Sequence, residues 1–258
     1  MEFESLPIST QWLLDSIGET SRSAINAVYL VVCPNTQNKG TGFVLKSGLL
    51  VTNWHVVEHC KAEDVVAISS KGKQHFFNRL IVDQHRDLAL LEPSTPLHGG
   101  LSIRHRFDIG IGAQVSTWGY PLGYDGPAPV LTMGYLSGFV SREAPSVKHF
   151  VVNAAFNPGN SGGPLLVAGE DAVIGVVVSK HAPISPWLLS IMKALENQRS
   201  GFMYTATDSQ GNTKAFTEAQ LVAEVLWYFR KMTQVVLGEA IAGDELVTFL
   251  TANNIPIR

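Results

Sequence analysis

The stretch NPGNSGGPLLVAGEDAVIGVVVS, Asn157 to Ser179, joins a loop of small residues to two apolar runs separated by a polar turn. Gly159, Gly162 and Gly163 free the backbone around Ser161, so the loop can hold one hydroxyl out to another molecule; a plain surface turn uses the same residue types. The residues after the serine decide between folds. GNSGG also fits the GxSxG elbow of an α/β-hydrolase, which turns from a strand into a helix. Here GPLLVA and AVIGVVVS read instead as a strand, a turn and a second strand. The loop belongs to a β architecture.

Outward from this pair the same pattern repeats. AINAVYLVV, GTGFVLK, GLLVT, DVVAIS, FFNRLIV and DLALLE lie between Ala24 and Glu92, and after PSTPLHGG come GAQVSTWG, VLTMGYLSGFV, KHFVVNAA, GPLLVA, AVIGVVVS and GFMYTAT. Two sets of six short strands, without the helices that parallel crossovers require, predict an all-β chain of two six-stranded antiparallel barrels, over 24–100 and 101–210. Residues 1–23 precede them as an N-terminal segment of unassigned role. Thr217 and Gln220 have capping-box spacing, and Leu221, Val225, Phe229, Met232 and Val236 recur every three or four residues, which predicts a helix. A second short helix is expected over 244–252, making 211–258 a C-terminal helical segment. PISPWLLSIMKALENQ, 183–198, also reads as helix, with Trp187, Leu188, Ile191, Met192 and Leu195 on one face, inside a loop insertion spanning 181–200.

With 258 residues, 45% of them hydrophobic, the chain can bury one large core or two closely packed ones. A net charge of -3, from 19 basic and 22 acidic residues, gives a phosphate backbone no general attraction, so no nucleic-acid partner is expected. The first basic residue is Arg22 and no long apolar run precedes it, so neither a signal peptide nor a membrane span is read, and a cytoplasmic location is expected. Cys33 and Cys60 are too few for a disulfide framework; two buried free thiols are expected, with a single bridge as the alternative. There is no HExxH and no Cys/His cluster at ligand spacing, so neither metal nor cofactor is expected.

A serine hydroxyl needs a base within reach and a third group to orient that base. His55 follows the strand GLLVT directly, within TNWHVV, where a rigid element ends. Asp87 opens the apolar run DLALLE, and a carboxylate drawn into such a run needs a partner. TGFVLKSGLLVTNWHVV, RDLALLE and NPGNSGGPL, in the order His, Asp, Ser, resemble the chymotrypsin-like serine proteases and, within them, the HtrA-like branch. WGYPLG and TMGYLSG extend the resemblance, which covers roughly 24–229.

The resemblance implies a serine endopeptidase acting on protein or peptide substrates. Ser161 would be the nucleophile, His55 the base, Asp87 its orienting acid, and the turn Gly159, Asn160, Ser161 the oxyanion hole. The pocket for the side chain before the cut bond would be built from Ala155, Phe156, Pro158, Val177, Val178 and Ser179, which suits small or medium aliphatic residues. Asn160 stands where the digestive branch has an aspartate that pairs with a liberated N-terminus, so activity without processing is expected. About fifty residues follow the last expected strand and read as helix, so a PDZ domain is not expected. The 181–200 insertion is then the candidate contact for a regulatory partner or a second copy. The alternatives are a GxSxG esterase and a catalytically silent protein that uses the protease fold to bind peptides.

Overall fold

Runs rich in Val, Leu and Ile form short strands because branched side chains fit a half-buried, pleated surface. The computed structural model describes residues 8–36, 38–104, 108–142, 145–180, 185–207, 211–232 and 237–257. It begins with helices α1 (Ile8–Ser16) and α2 (Glu19–Ala27), the second taking over the first residues of the run AINAVYLVV. Strands β1 (Val28–Cys33), β2 (Asn38–Val44), β3 (Leu50–Thr52), β4 (Val66–Ile68), β5 (Gln74–His75), β6 (Phe77–Asp83) and β7 (Leu88–Pro93) come next, with the short helix α3 (Trp54–Val57) after β3. They form one sheet in the order β5-β4-β1-β2-β3-β7-β6.

The second sheet takes β8 (Ser102–Ile103), β9 (Gln114–Gly119), β10 (Val130–Arg142), β11 (Val147–Val152), β12 (Pro164–Val167) and β13 (Ala172–Lys180). Residues 182–234 then form a compact unit of their own. It contains α4 (Pro186–Asn197), the antiparallel hairpin β14 (Met203–Thr207) and β15 (Thr213–Thr217), and α5 (Glu218–Met232). The chain returns to the second sheet as β16 (Gly238–Ala242) and ends with α6 (Gly243–Ala252). The sheet order is β12-β9-β10-β11-β16-β13-β8, and an added β12–β13 pairing closes six of these strands into a barrel.

Three expectations change here. GFMYTAT is a strand, but it pairs in the hairpin, and the barrel is completed by β16, inside the segment expected to be helical. The sequence GEAIA carries little branched bulk, yet all five residues are buried between β11 and β13, where small side chains fit. The insertion also extends past 181–200 to take in the hairpin and α5. Within it the capping box forms: Thr217 N–H donates to Gln220 Oε1 (3.0 Å) and Gln220 N–H to Thr217 Oγ1 (3.2 Å). Residues 181–184 and Val236 lie outside the described residues.

Inside the first sheet pack Tyr29, Val31, Val44, Leu50, Val56 and Leu91; inside the second, Val115, Leu136, Phe150, Leu165 and Ala240. A third cluster joins the two sheets, with Phe43, Val51 and Leu90 against Trp118, Tyr120 and Val176, and α6 contributes Leu246, Phe249 and Leu250. This shared core fixes the sheets against each other, and the loops at their junction inherit that rigidity. Cys33 and Cys60 are disulfide-bonded rather than free thiols. Cys33 ends β1 and Cys60 lies just beyond α3, which packs on β1, so the fold brings together two cysteines that sequence spacing could not pair. No helix among the described residues is long and apolar enough to cross a membrane.

Candidate active site

Strand register brings His55 to Asp87. β3 and β7 are antiparallel neighbours with Thr52 opposite Ala89, so the residues just after β3 and just before β7 leave the sheet at the same edge. His55 Nδ1 lies 2.7 Å from Asp87 Oδ2, and the His55 backbone N–H donates to Asp87 Oδ1 at 2.9 Å. Asp87 has a left-handed backbone (φ 54°), uncommon outside glycine, and its carbonyl accepts both Asn53 Nδ2 (2.9 Å) and Trp54 N–H (3.2 Å). Main chain and carboxylate are thus both tied to residues 53–55. A carboxylate can only accept, so the pairing calls for the proton on Nδ1 and leaves Nε2 free as a base.

Ser161 sits at the junction of β12, β13 and the first sheet. It is 4% exposed, and its hydroxyl donates to the Val178 carbonyl rather than to His55. β13 is irregular against β16 between Val177 and Ser179, and this local shift accompanies the approach of Val178 to the serine. In the turn before the serine, Leu122 N–H donates to the Pro158 carbonyl (2.6 Å) and Gly163 N–H to the Asn160 carbonyl (3.0 Å). In a trans peptide the N–H points opposite to the carbonyl, so these bonds turn the Gly159 and Ser161 N–H groups the other way. Neither N–H donates to a carbonyl among the described residues. Gly159 has φ 97°, and a Cβ there would overlap the Tyr120 carbonyl, so only glycine fits.

Residues 40–176, just over half the chain, match the family model of the trypsin-like peptidase domain. The chain belongs to this family. It is 28% identical over 242 residues to Protease Do-like 1, chloroplastic, of Arabidopsis thaliana, a match covering 89% of this chain and 48% of that protein. It is 32% identical over 142 residues to the probable periplasmic serine endoprotease DegP-like of Halomonas elongata, covering 53% and 28%. A solved structure of the HtrA-type protease AlgW with a decapeptide superposes with a TM-score of 0.60 at 17% identity, over 90% of this chain and 66% of that one. Within the trypsin-like peptidases the chain is similar to these Do- and DegP-like proteases, and it spans less than half the length of the two curated relatives.

The pocket expectation needs revision in this member of the trypsin-like peptidase family. Phe156 (1% exposed) and Val177 (0%) belong to the core inside the second barrel and offer no surface to a cleft. Apolar character fits a core and a pocket wall equally well, and only the packing of the loop that carries Phe156 and the facing of β13 at Val177 separate the two. Ala155, Pro158 and Val178 are half-buried, and Ser179 is described only as backbone of β13. Asn160 is buried with both side-chain polar atoms unpaired. Sequence inspection missed Asn53 and the Val178 carbonyl; a polar residue buried directly before the helix of His55 was the available signal for the first.

His149 on β11 was also missed. Its Nδ1 lies 3.4 Å from Glu239 Oε2, and Glu239 pairs in turn with Arg142. Burial lowers its pKa from the ordinary 6.5, and the Glu239 charge opposes that shift. The unfolded chain therefore takes up a proton near pH 6.5 that the folded chain refuses, so stability is full above that value and falls as pH drops below it. His149→Gln should lose less melting temperature than the parent between about pH 7 and about pH 5.5. Equal losses would remove His149 from this role. Among the described residues no group of three or more His, Cys, Asp or Glu could hold a metal ion.

Proposed function

We propose that this chain is a serine endopeptidase that cleaves protein or peptide substrates through an acyl-enzyme. The observation that carries this is the His55–Asp87 pair at 2.7 Å beside a serine turn whose Gly159 and Ser161 N–H groups are both without a carbonyl partner among the described residues. For attack the Ser161 hydroxyl rotates from the Val178 carbonyl to His55 Nε2, a realignment common between free and substrate-bound catalytic groups. His55 takes the proton as Oγ bonds to the substrate carbonyl, and the charge that develops on oxygen meets the two N–H donors. His55 then delivers the proton to the departing amine, and water repeats the sequence on the acyl-enzyme. Throughout, Asp87 holds Nδ1–H and steadies the imidazolium.

The half-buried Ala155, Pro158 and Val178 support cleavage after Val, Ala or Leu. An apolar pocket leaves a cation's lost hydration uncompensated. A peptide library digested by the protein, with Ser161→Ala as control, should yield new ends after aliphatic residues. Preferred cutting after Arg or Lys would refute the specificity, and equal digestion by both proteins would refute the activity.

Regulation through 181–200 by a partner or a second copy is proposed as well. α4 packs on α5 and its Met192 is buried, while Trp187 is 75% exposed. Trp187→Ala should shift the melting temperature by no more than about 2 °C while changing the hydrolysis rate several-fold. Loss of rate and stability in proportion would make Trp187 a packing residue. The Cys33–Cys60 bond is of a kind that persists in oxidising compartments.

A further inference from the structure

We infer that Thr41 is a positioning residue for the oxyanion site, acting on the serine turn from the opposite sheet; this rests on Ser161 being the nucleophile. Thr41 lies in β2, is fully buried, and meets the turn twice. Its N–H donates to the Ser161 carbonyl at 2.8 Å and its hydroxyl to the Gly159 carbonyl at 2.6 Å. The hydroxyl is itself fixed, because it accepts the Tyr120 N–H at 3.0 Å. The Thr41 carbonyl in turn accepts the Thr52 hydroxyl at 2.8 Å, at the end of the strand that leads into His55. One residue therefore spans the two halves of the site.

Four successive carbonyls of the turn, from Pro158 to Ser161, are each held by a donor, and Thr41 supplies two of the four. The peptide between Gly159 and Asn160 lies between the two that aim the oxyanion donors. Its N–H is held by the Asn157 carbonyl at 3.0 Å, and the donor holding its carbonyl is the Thr41 hydroxyl. Without that hydroxyl a buried carbonyl loses its partner, which is costly. Gly159 is the residue free to rotate and relieve the loss. Rotation there carries its own N–H away from the position where the oxyanion forms. Thr41→Val keeps the branched shape and the backbone bond to Ser161 and removes only the hydroxyl; Thr41→Ser keeps the hydroxyl.

The test is steady-state hydrolysis of an aliphatic-site peptide, with melting temperatures, for the parent, Thr41→Val, Thr41→Ser and Ser161→Ala. Thr41→Val should lower kcat about 100-fold with KM unchanged within about threefold, and Thr41→Ser should recover to within about threefold of the parent. A kcat for Thr41→Val within about threefold of the parent, or a Thr41→Ser loss as large as that of Thr41→Val, would overturn the assignment. If Thr41→Val does not fold, Thr41→Ala is read in the same way, and failure of both to fold would make the hydroxyl structural and also overturn it. If the parent is no more active than Ser161→Ala, the nucleophile assignment fails separately. The Gly159 amide resonance then decides the clamp: a shift on removing the Thr41 hydroxyl supports it, and an unmoved resonance overturns it.

Discussion

Ser161→Ala and His55→Ala each lower kcat for peptide hydrolysis about a million-fold, and the double variant is hardly worse than either single one. The three groups act as one device, so removing the nucleophile or its base disables the same step. The size comes from the chemistry: a neutral serine hydroxyl is a weak nucleophile, and a Ser161 hydroxyl left on the Val178 carbonyl, with no imidazole to turn to, has no base to take its proton. Both variants should keep the parent's fold, since the Ser161 side chain is small and that of His55 is 40% exposed. The comparison is made with matched protein preparations on one peptide. Activity within tenfold of the parent in either variant would remove that residue from the chemistry.

Asp87→Asn costs about ten-thousand-fold in kcat, which corresponds to roughly 5 to 6 kcal/mol of barrier. The asparagine oxygen can still accept the His55 backbone N–H, as Asp87 Oδ1 does at 2.9 Å. Its amide N–H₂ then faces Nδ1, which must become an acceptor, and the ring proton moves to Nε2, where the base is needed. The left-handed backbone of Asp87, tied by Asn53 and Trp54, suits asparagine as well as aspartate, so the loss should appear in kcat with little change in melting temperature. Steady-state kinetics with parallel thermal melts reads both quantities. A drop in stability that matches the drop in rate would mean that Asp87 holds the fold rather than the imidazole.

Much of the architecture was legible because strand chemistry is local. Runs such as VYLVVC and QVSTWG announce themselves by branched and aromatic residues, and the order His55, Asp87, Ser161 could be placed on the ends of such runs. GEAIA was not legible: its small residues resemble a helix continuation, and it becomes a strand because β11 and β13 each offer it a free edge to pair with. GFMYTAT has the opposite history, a good strand that pairs locally with β15 instead of entering the barrel. Partner choice is a long-range property and leaves little trace in either sequence. The same limit explains Phe156 and Val177, whose apolar character fits a pocket or a core, and the Cys33–Cys60 bond, which depends on how α3 packs. Thr41 was inconspicuous because a threonine inside a strand is ordinary, and only the turn opposite reveals what its hydroxyl holds.

The most direct measurement is mass-spectrometric mapping of the protein after reaction with a fluorophosphonate, which requires at once a nucleophilic serine, its base and an oxyanion site. The parent protein should carry one phosphonyl adduct, on the peptide containing Ser161, and His55→Ala should carry none in the same time. An unlabelled parent protein, or an adduct that persists at Ser161 in His55→Ala at the parent's rate, would contradict a serine peptidase built on Ser161, His55 and Asp87.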